Sequence, residues 1–160
     1  MSSASLVWKG KALTDRMRRA QKVGVNATMS QCVKHAKSNH TWQNRTGVLE
    51  GSLGIAEYAR EDAQGVVGHW GSQDVRHALI HELGGTIKHP GGTAYYIGED
   101  GLAVFVSGSD PRAAELPKTK PHDIIIPARP YLRPAADEYY PSLVDNIRAA
   151  FTKDKGGARA

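Results

Sequence analysis

Apolar residues recur at helical spacing over the first quarter of the chain. Leu13, Met17, Ala20, Gly24 and Ala27 form one stripe, and Val25, Met29, Cys32 or Val33, and Ala36 continue it with a shift. The spacing predicts a long helix over 5–38. Gly24 is its weak point, where a bend or break is expected. The methionines and alanines on the stripe read as core packing. After a polar loop that contains Trp42, Thr46 is expected to cap a short helical turn reaching Glu50.

The pattern then changes period. Ser52 to Tyr58 and Val66 to Trp70 alternate or run apolar around the turn residues Asp62 to Gly65, which predicts a β-hairpin. Ser72 to Leu83 reads as a helix capped by Ser72 or Asp74 and ended by Gly84-Gly85. A strand over Thr86 to Lys88 follows, then the turn cluster His89-Pro90-Gly91-Gly92. A second hairpin is predicted from Ala94 to Ile97 and Leu102 to Ser107, flanking Gly98 to Gly101. Residues 109–122 are polar and proline-interrupted, and are expected to form a mobile loop.

Ile124 to Ile126 reads as a buried strand. Ala136, Tyr140, Leu143, Ile147 and Phe151 then make the stripe of a last helix, with Pro134 suited to its first turn and Pro141 predicting a kink. The charged, glycine-containing tail after Phe151 is expected to be disordered. The fold class is therefore α+β. A long basic N-terminal helix precedes an antiparallel sheet of about four to five strands built from hairpins. A short helix sits in the middle, and a C-terminal helix packs on the sheet. One domain over 1–152 is expected.

Between the last strand and the last helix lies Ile126-Pro127-Ala128-Arg129-Pro130-Tyr131-Leu132-Arg133-Pro134. Each proline fixes its own φ and pushes the residue before it toward extended geometry. The result is a rigid corner carrying Arg129, Tyr131 and Arg133. Each arginine can pair with a carboxylate such as Asp137 or Glu82 and pin the corner, or serve as an interface anchor. Both roles stay open.

Charge adds a second feature. The chain of 160 residues has a net charge of +5. Nine basic residues up to Val48 stand against Asp15 alone, a balance of +8 that leaves the remainder net acidic by three. Arg16, Arg18, Arg19 and Lys22 lie mostly off the apolar stripe and form the candidate basic face, which would suit nucleic acid or an acidic protein. No apolar run is long enough to cross a membrane, and the N-terminus lacks the order of a secretory signal. A single cysteine, Cys32, excludes an internal disulfide and fits a cytoplasmic setting.

Candidate chemistry is thin. His77 and His81 are four apart and can share a helix face, but Glu82 projects elsewhere and no second cluster has ligand spacing. Cys32 sits on an apolar face, and no serine lies in Gly-x-Ser-x-Gly. Neither glycine pair is followed by Gly-Lys-Ser/Thr. No catalytic, cofactor-binding or metal-ligating residues are expected. A metal-dependent hydrolase using His77 and His81 is the least favoured alternative, and a non-specific nucleic-acid-binding module using the basic helix the next.

Three motifs in order carry a resemblance: Asn44-Arg45-Thr46-Gly47-Val48-Leu49, then His77-Ala78-Leu79-Ile80-His81-Glu82-Leu83-Gly84-Gly85-Thr86, then Ile126-Pro127-Ala128-Arg129-Pro130-Tyr131-Leu132. The chain resembles, over about residues 44–150, small virion morphogenesis proteins of tailed bacteriophages, of the HK97-type and Mu gpG-like groups. Those families typically read Arg-Thr-Gly-x-Leu, Tyr-Ala-x-x-x-Glu/Gln-Phe-Gly-Thr and Ile-Pro-Ala-Arg-Pro-Phe-Leu. Here His77 replaces the tyrosine that opens the middle motif, and Leu83 the aromatic before its glycine.

The resemblance implies a structural, non-enzymatic tail-completion or neck protein that joins the tail to the head. It implies a homo-oligomeric ring, a hexamer when assembled. The tail tube or terminator and the head connector would be its partners, and DNA passing through the neck a further contact. It places the protein in the virion, after assembly in the host cytoplasm, with no membrane contact. Arg129, Arg133, Tyr131 and Arg45 are then the interface candidates.

Overall fold

The structure is a computed structural model that describes residues 10–43 and 46–154. Arg45, the first residues of the expected N-terminal helix and the end of the tail lie outside the described residues. Among these, the elements are α1 (Gly10–Ser38), α2 (Val48–Ser52), β1 (Leu53–Glu61), β2 (Val66–Ser72), α3 (Ala78–Leu83), β3 (Gly85–His89), β4 (Tyr95–Ile97), β5 (Ala103–Phe105), β6 (His122–Ile126), α4 (Leu132–Tyr139) and α5 (Leu143–Lys153). The fold is α+β, as the pattern predicts. The chain divides into two compact units, one of residues up to Glu82 together with those from Arg129 onward, the other Leu83–Ala128.

In the first unit α1 packs against α4, α5 and the β1–β2 hairpin. It runs unbroken through Gly24, contrary to the expected bend. The glycine is a point of close approach: a Cβ there would sit 2.5 Å from Ile147 Cγ1 and 2.8 Å from Ile147 Cα and N. Beside this crossing, Asn146 Nδ2 donates to Thr28 Oγ1 (2.9 Å) and Gln31 Oε1 (3.0 Å). Buried polar groups paired across two helices fix their register. The buried stripe of α1 is Ala20, Gly24, Thr28, Met29, Cys32 and Ala36, while Leu13, Met17 and Ala27 of the expected stripe are exposed.

The first hairpin forms where the alternation places it, with Leu53 opposite Ser72 and Glu61 opposite Val66, and with two irregularities in β1. Asp62 closes its turn by accepting the N–H groups of Gln64 and Gly65. Two cap expectations fail. Gly47, at φ 72°, occupies the N-cap of α2, so Thr46 does not cap it. Ser72 is the last residue of β2, where its hydroxyl meets that of Ser52 at 2.7 Å, and Asp74 adopts φ 57°. The middle helix is therefore only α3, and Gly84 at φ 69° ends it as expected. Pro141 falls in a 3-10 turn, Tyr140–Ser142, that separates α4 from α5, which is the predicted kink. Trp70 Nε1 donates to the Tyr140 hydroxyl (3.2 Å) and ties this turn to the hairpin.

In the second unit β3 pairs with β6, from Gly85 opposite Ile126 to His89 opposite His122, and β4 pairs with β5. The described residues thus make three two-stranded ribbons, each shorter than the sheet of four to five strands expected. The hairpins were local signals, but the partner of β6 lies far back in the chain. The stretch expected to be a mobile loop is tied down. Lys118 bridges to Ala94, Thr119 N donates to Thr93 O (2.9 Å), and Ala113 and Leu116 pack with Ala94 and Val106. Asp110 caps its 3-10 turn, and hydrogen bonds from Arg112 hold the Asp110 carboxyl at about 2. The isoleucine run differs most from expectation, since Ile125 is 78% exposed.

Candidate functional site

The proline-rich corner is held by the end of α3. His81 O accepts the Arg129 N–H at 2.7 Å. Glu82 Oε2 accepts the N–H groups of Tyr131 (2.8 Å) and Leu132 (2.9 Å), and Oε1 that of Arg133 (3.0 Å). These are donors at the start of α4, which have no partner within the helix. A carboxylate there also meets the positive end of the helix dipole. Glu82 is consequently the cap of α4, and not the ion-pair partner of Arg129 or Arg133. Replacing it with alanine should destabilise the protein by about 2 kcal/mol, from loss of a cap and of several charged hydrogen bonds. Chemical denaturation checks this, with Glu82→Gln expected to fall between the two.

Tyr131 is not on the rim. It is 0% exposed, stands edge-on to Trp42 at 4.8 Å, and its hydroxyl donates to Ala78 O at 3.4 Å. Burial pushes its phenol pKa up. His40 stacks on Trp42 at 3.8 Å. Arg129 and Arg133 do remain exposed, and neither makes an ion pair among the described residues. A rigid buried anchor thus carries two outward cations.

Beside Arg129 opens a cavity of about 480 Å³, lined by Thr41, Trp42, Gln43, Thr46, Leu49 of α2, His77, His81 and Arg129. His77, in the turn before α3, and His81 on α3 lie with ring centroids 5.7 Å apart. His81 Nδ1 and Trp42 Nε1 are buried without a hydrogen-bond partner among the described residues. The His81 pKa is lowered by burial first, then by His77 and by Arg129. In the folded chain the neutral imidazole is thus favoured. Its contribution to stability is complete above the ordinary value of 6.5 and is lost as pH falls through the lower folded value. Stability should decline on acidification through that window, and His81→Gln should flatten the slope, as denaturation at stepped pH would record.

The histidines gain no further ligand. Among the described residues no group of three or more His, Cys, Asp or Glu is arranged to hold a metal ion. Cys32 is buried, and burial raises its thiol pKa. The candidate basic face is largely engaged within the chain. Arg16 donates to Phe151 O (2.6 Å) and lies 4.0 Å over the Phe151 ring. Arg19 pairs with Asp154 and Lys22 with Glu61, each at 2.9 Å, and Arg18 reaches Gln21 at 3.4 Å. Arg16, Arg19 and Lys22 thus dock α1 onto the end of α5 and onto β1.

Sequence reasoning placed the corner but missed the cavity and the cap. A tryptophan inside a polar loop was the one signal for the first. Nothing in the sequence distinguishes Glu82 as a cap. The chain matches no protein-family profile, no curated protein and no solved structure.

Proposed function

We propose that the protein is a structural assembly subunit, a tail-completion or neck component of a tailed bacteriophage that joins tail to head as a homo-oligomeric ring. The observation that carries this reading is the uncovered apolar surface of the second unit. Ile97, Leu102 and Phe105 are 60%, 66% and 64% exposed, and Ile125 more so, on ribbons of only two strands. Such ribbons are marginal alone, and several large apolar side chains exposed on one small unit suit burial against a partner. A ring covers such surface by repeating one heterologous contact. The motif order of the sequence supports the phage assignment, and the Arg129 corner supplies polar anchors for a neighbour.

The reading makes a specific prediction. The double variant Arg129→Ala, Arg133→Ala should keep the wild-type melting temperature within a few degrees, because both side chains are exposed and make no ion pair among the described residues. It should nevertheless lower the yield of infectious, joined particles by at least tenfold in a complementation assay, a loss of about 1.4 kcal/mol or more in assembly. Normal yield would remove the arginines from the interface.

A further inference from the structure

We infer that the cavity beside Arg129 receives the carboxylate of an acidic side chain carried by a neighbouring polypeptide. The inference rests on the assembly role proposed above and names the chemistry of the partner at that corner. The wall offers one permanent cation, the Arg129 guanidinium, which has no counter-ion among the described residues. His77 and His81 add two groups that can become cationic, and no carboxylate lines the cavity among the described residues. A guanidinium fork matches a planar carboxylate with two parallel hydrogen bonds.

The remaining wall fits a side chain better than a free ion. Trp42 and Leu49 present an apolar surface for a methylene stem, and a volume of about 480 Å³ holds an acidic side chain with its flanking backbone. Trp42 is 8% exposed, and among the described residues its indole N–H lacks an acceptor, as the His81 Nδ1 lacks a partner. A bound carboxylate that draws either ring toward it would satisfy a polar atom that is otherwise left unpaired. A phosphodiester track is the less suitable occupant, because it calls for several permanent cations and Arg129 is the one among the described lining residues.

The occupant is coupled to pH. The groups facing His81 are His77 in the turn before α3 and Arg129 from the corner, both of which oppose its protonation. Behind Trp42, His40 approaches Glu50 at 3.9 Å. An anion in the cavity offsets the repulsion between His77, His81 and Arg129, so binding should tighten as pH falls toward the histidine range.

The test is an NMR titration of the full chain, following the Trp42 indole N–H and the Arg129 Nε–H. The probes are the blocked tripeptide acetyl-Gly-Glu-Gly-amide, its Gln counterpart, acetate and dimethyl phosphate. The Glu peptide should give saturable shifts at both signals, stronger at lower pH, with the Gln peptide and acetate at least about tenfold weaker. Arg129→Gln should weaken the Glu peptide about tenfold. His77→Gln, on an exposed position, should reduce the pH dependence without unfolding the chain. Absence of saturable shifts at these signals would overturn the inference. So would equal affinity for the Gln peptide, for acetate, which would indicate a small-molecule site, or for dimethyl phosphate, which would indicate nucleic acid. These readouts use the isolated protein. A failed titration would therefore leave the assembly role standing, and loss of the assembly role would leave a measured carboxylate site in place.

Discussion

Tyr131→Ala should lower the stability of the protein by about 3–5 kcal/mol, the range for removing a fully buried aromatic ring. The ring is the largest wholly buried side chain, and it packs with Trp42 and Cys32 in one core. Its loss leaves a cavity at the point where Glu82 and His81 hold the corner, so little nearby can collapse to fill it. Small domains have only about 5–15 kcal/mol in total, and this one variant should bring the chain close to unfolding. Tyr131→Phe separates packing from the hydroxyl. It loses one long hydrogen bond to Ala78 O and should cost only about 1 kcal/mol. Urea denaturation of both variants checks the ratio, and equal effects would show that the hydroxyl, not the ring, dominates.

Gly24→Ala should also destabilise, by about 1–3 kcal/mol, although alanine is the better helix former by about 0.8–1 kcal/mol in an exposed helix interior. The sign is decided by Ile147. Two of the three close contacts a new Cβ would make are with Ile147 backbone atoms at 2.8 Å, which cannot rotate away as a side chain can. The helices α1 and α5 would have to separate, straining the Thr28–Asn146–Gln31 hydrogen bonds beside the crossing. Adding Ile147→Ala removes the contact at Cγ1 only, so rescue should be partial. Thermal melts of the single and double variants give the test, and a stabilised single variant would mean that α1 and α5 are not in this close register.

These two residues show how much of the molecule could be read in advance. The periodicity that predicts α1 is a local property of the side chains, and so are the hairpin turn at Asp62–Gly65 and the kink at Pro141. Each needs only neighbours in sequence. Gly24 carries the same local signal whether it breaks a helix or admits a second one, and only the position of Ile147 decides. The isoleucine run was read as a buried strand because apolar runs usually are. Its burial depends on what covers it, and within the second unit Ile125 is left open. The corner was legible because prolines restrict the backbone wherever they occur. The cavity was not, since it is assembled from the loop around Trp42, one side of α3, and Arg129, three segments far apart in sequence. The basic helix illustrates the same limit. Its charge could be counted, but its partners Phe151, Asp154 and Glu61 could not be foreseen.

The most direct test of the proposed assembly role is electron microscopy of lysates from a phage or prophage lacking this gene. Filled heads lying apart from tails, or tails with aberrant head-proximal ends, are the expected result. Normal particles, with heads and tails joined, would contradict it.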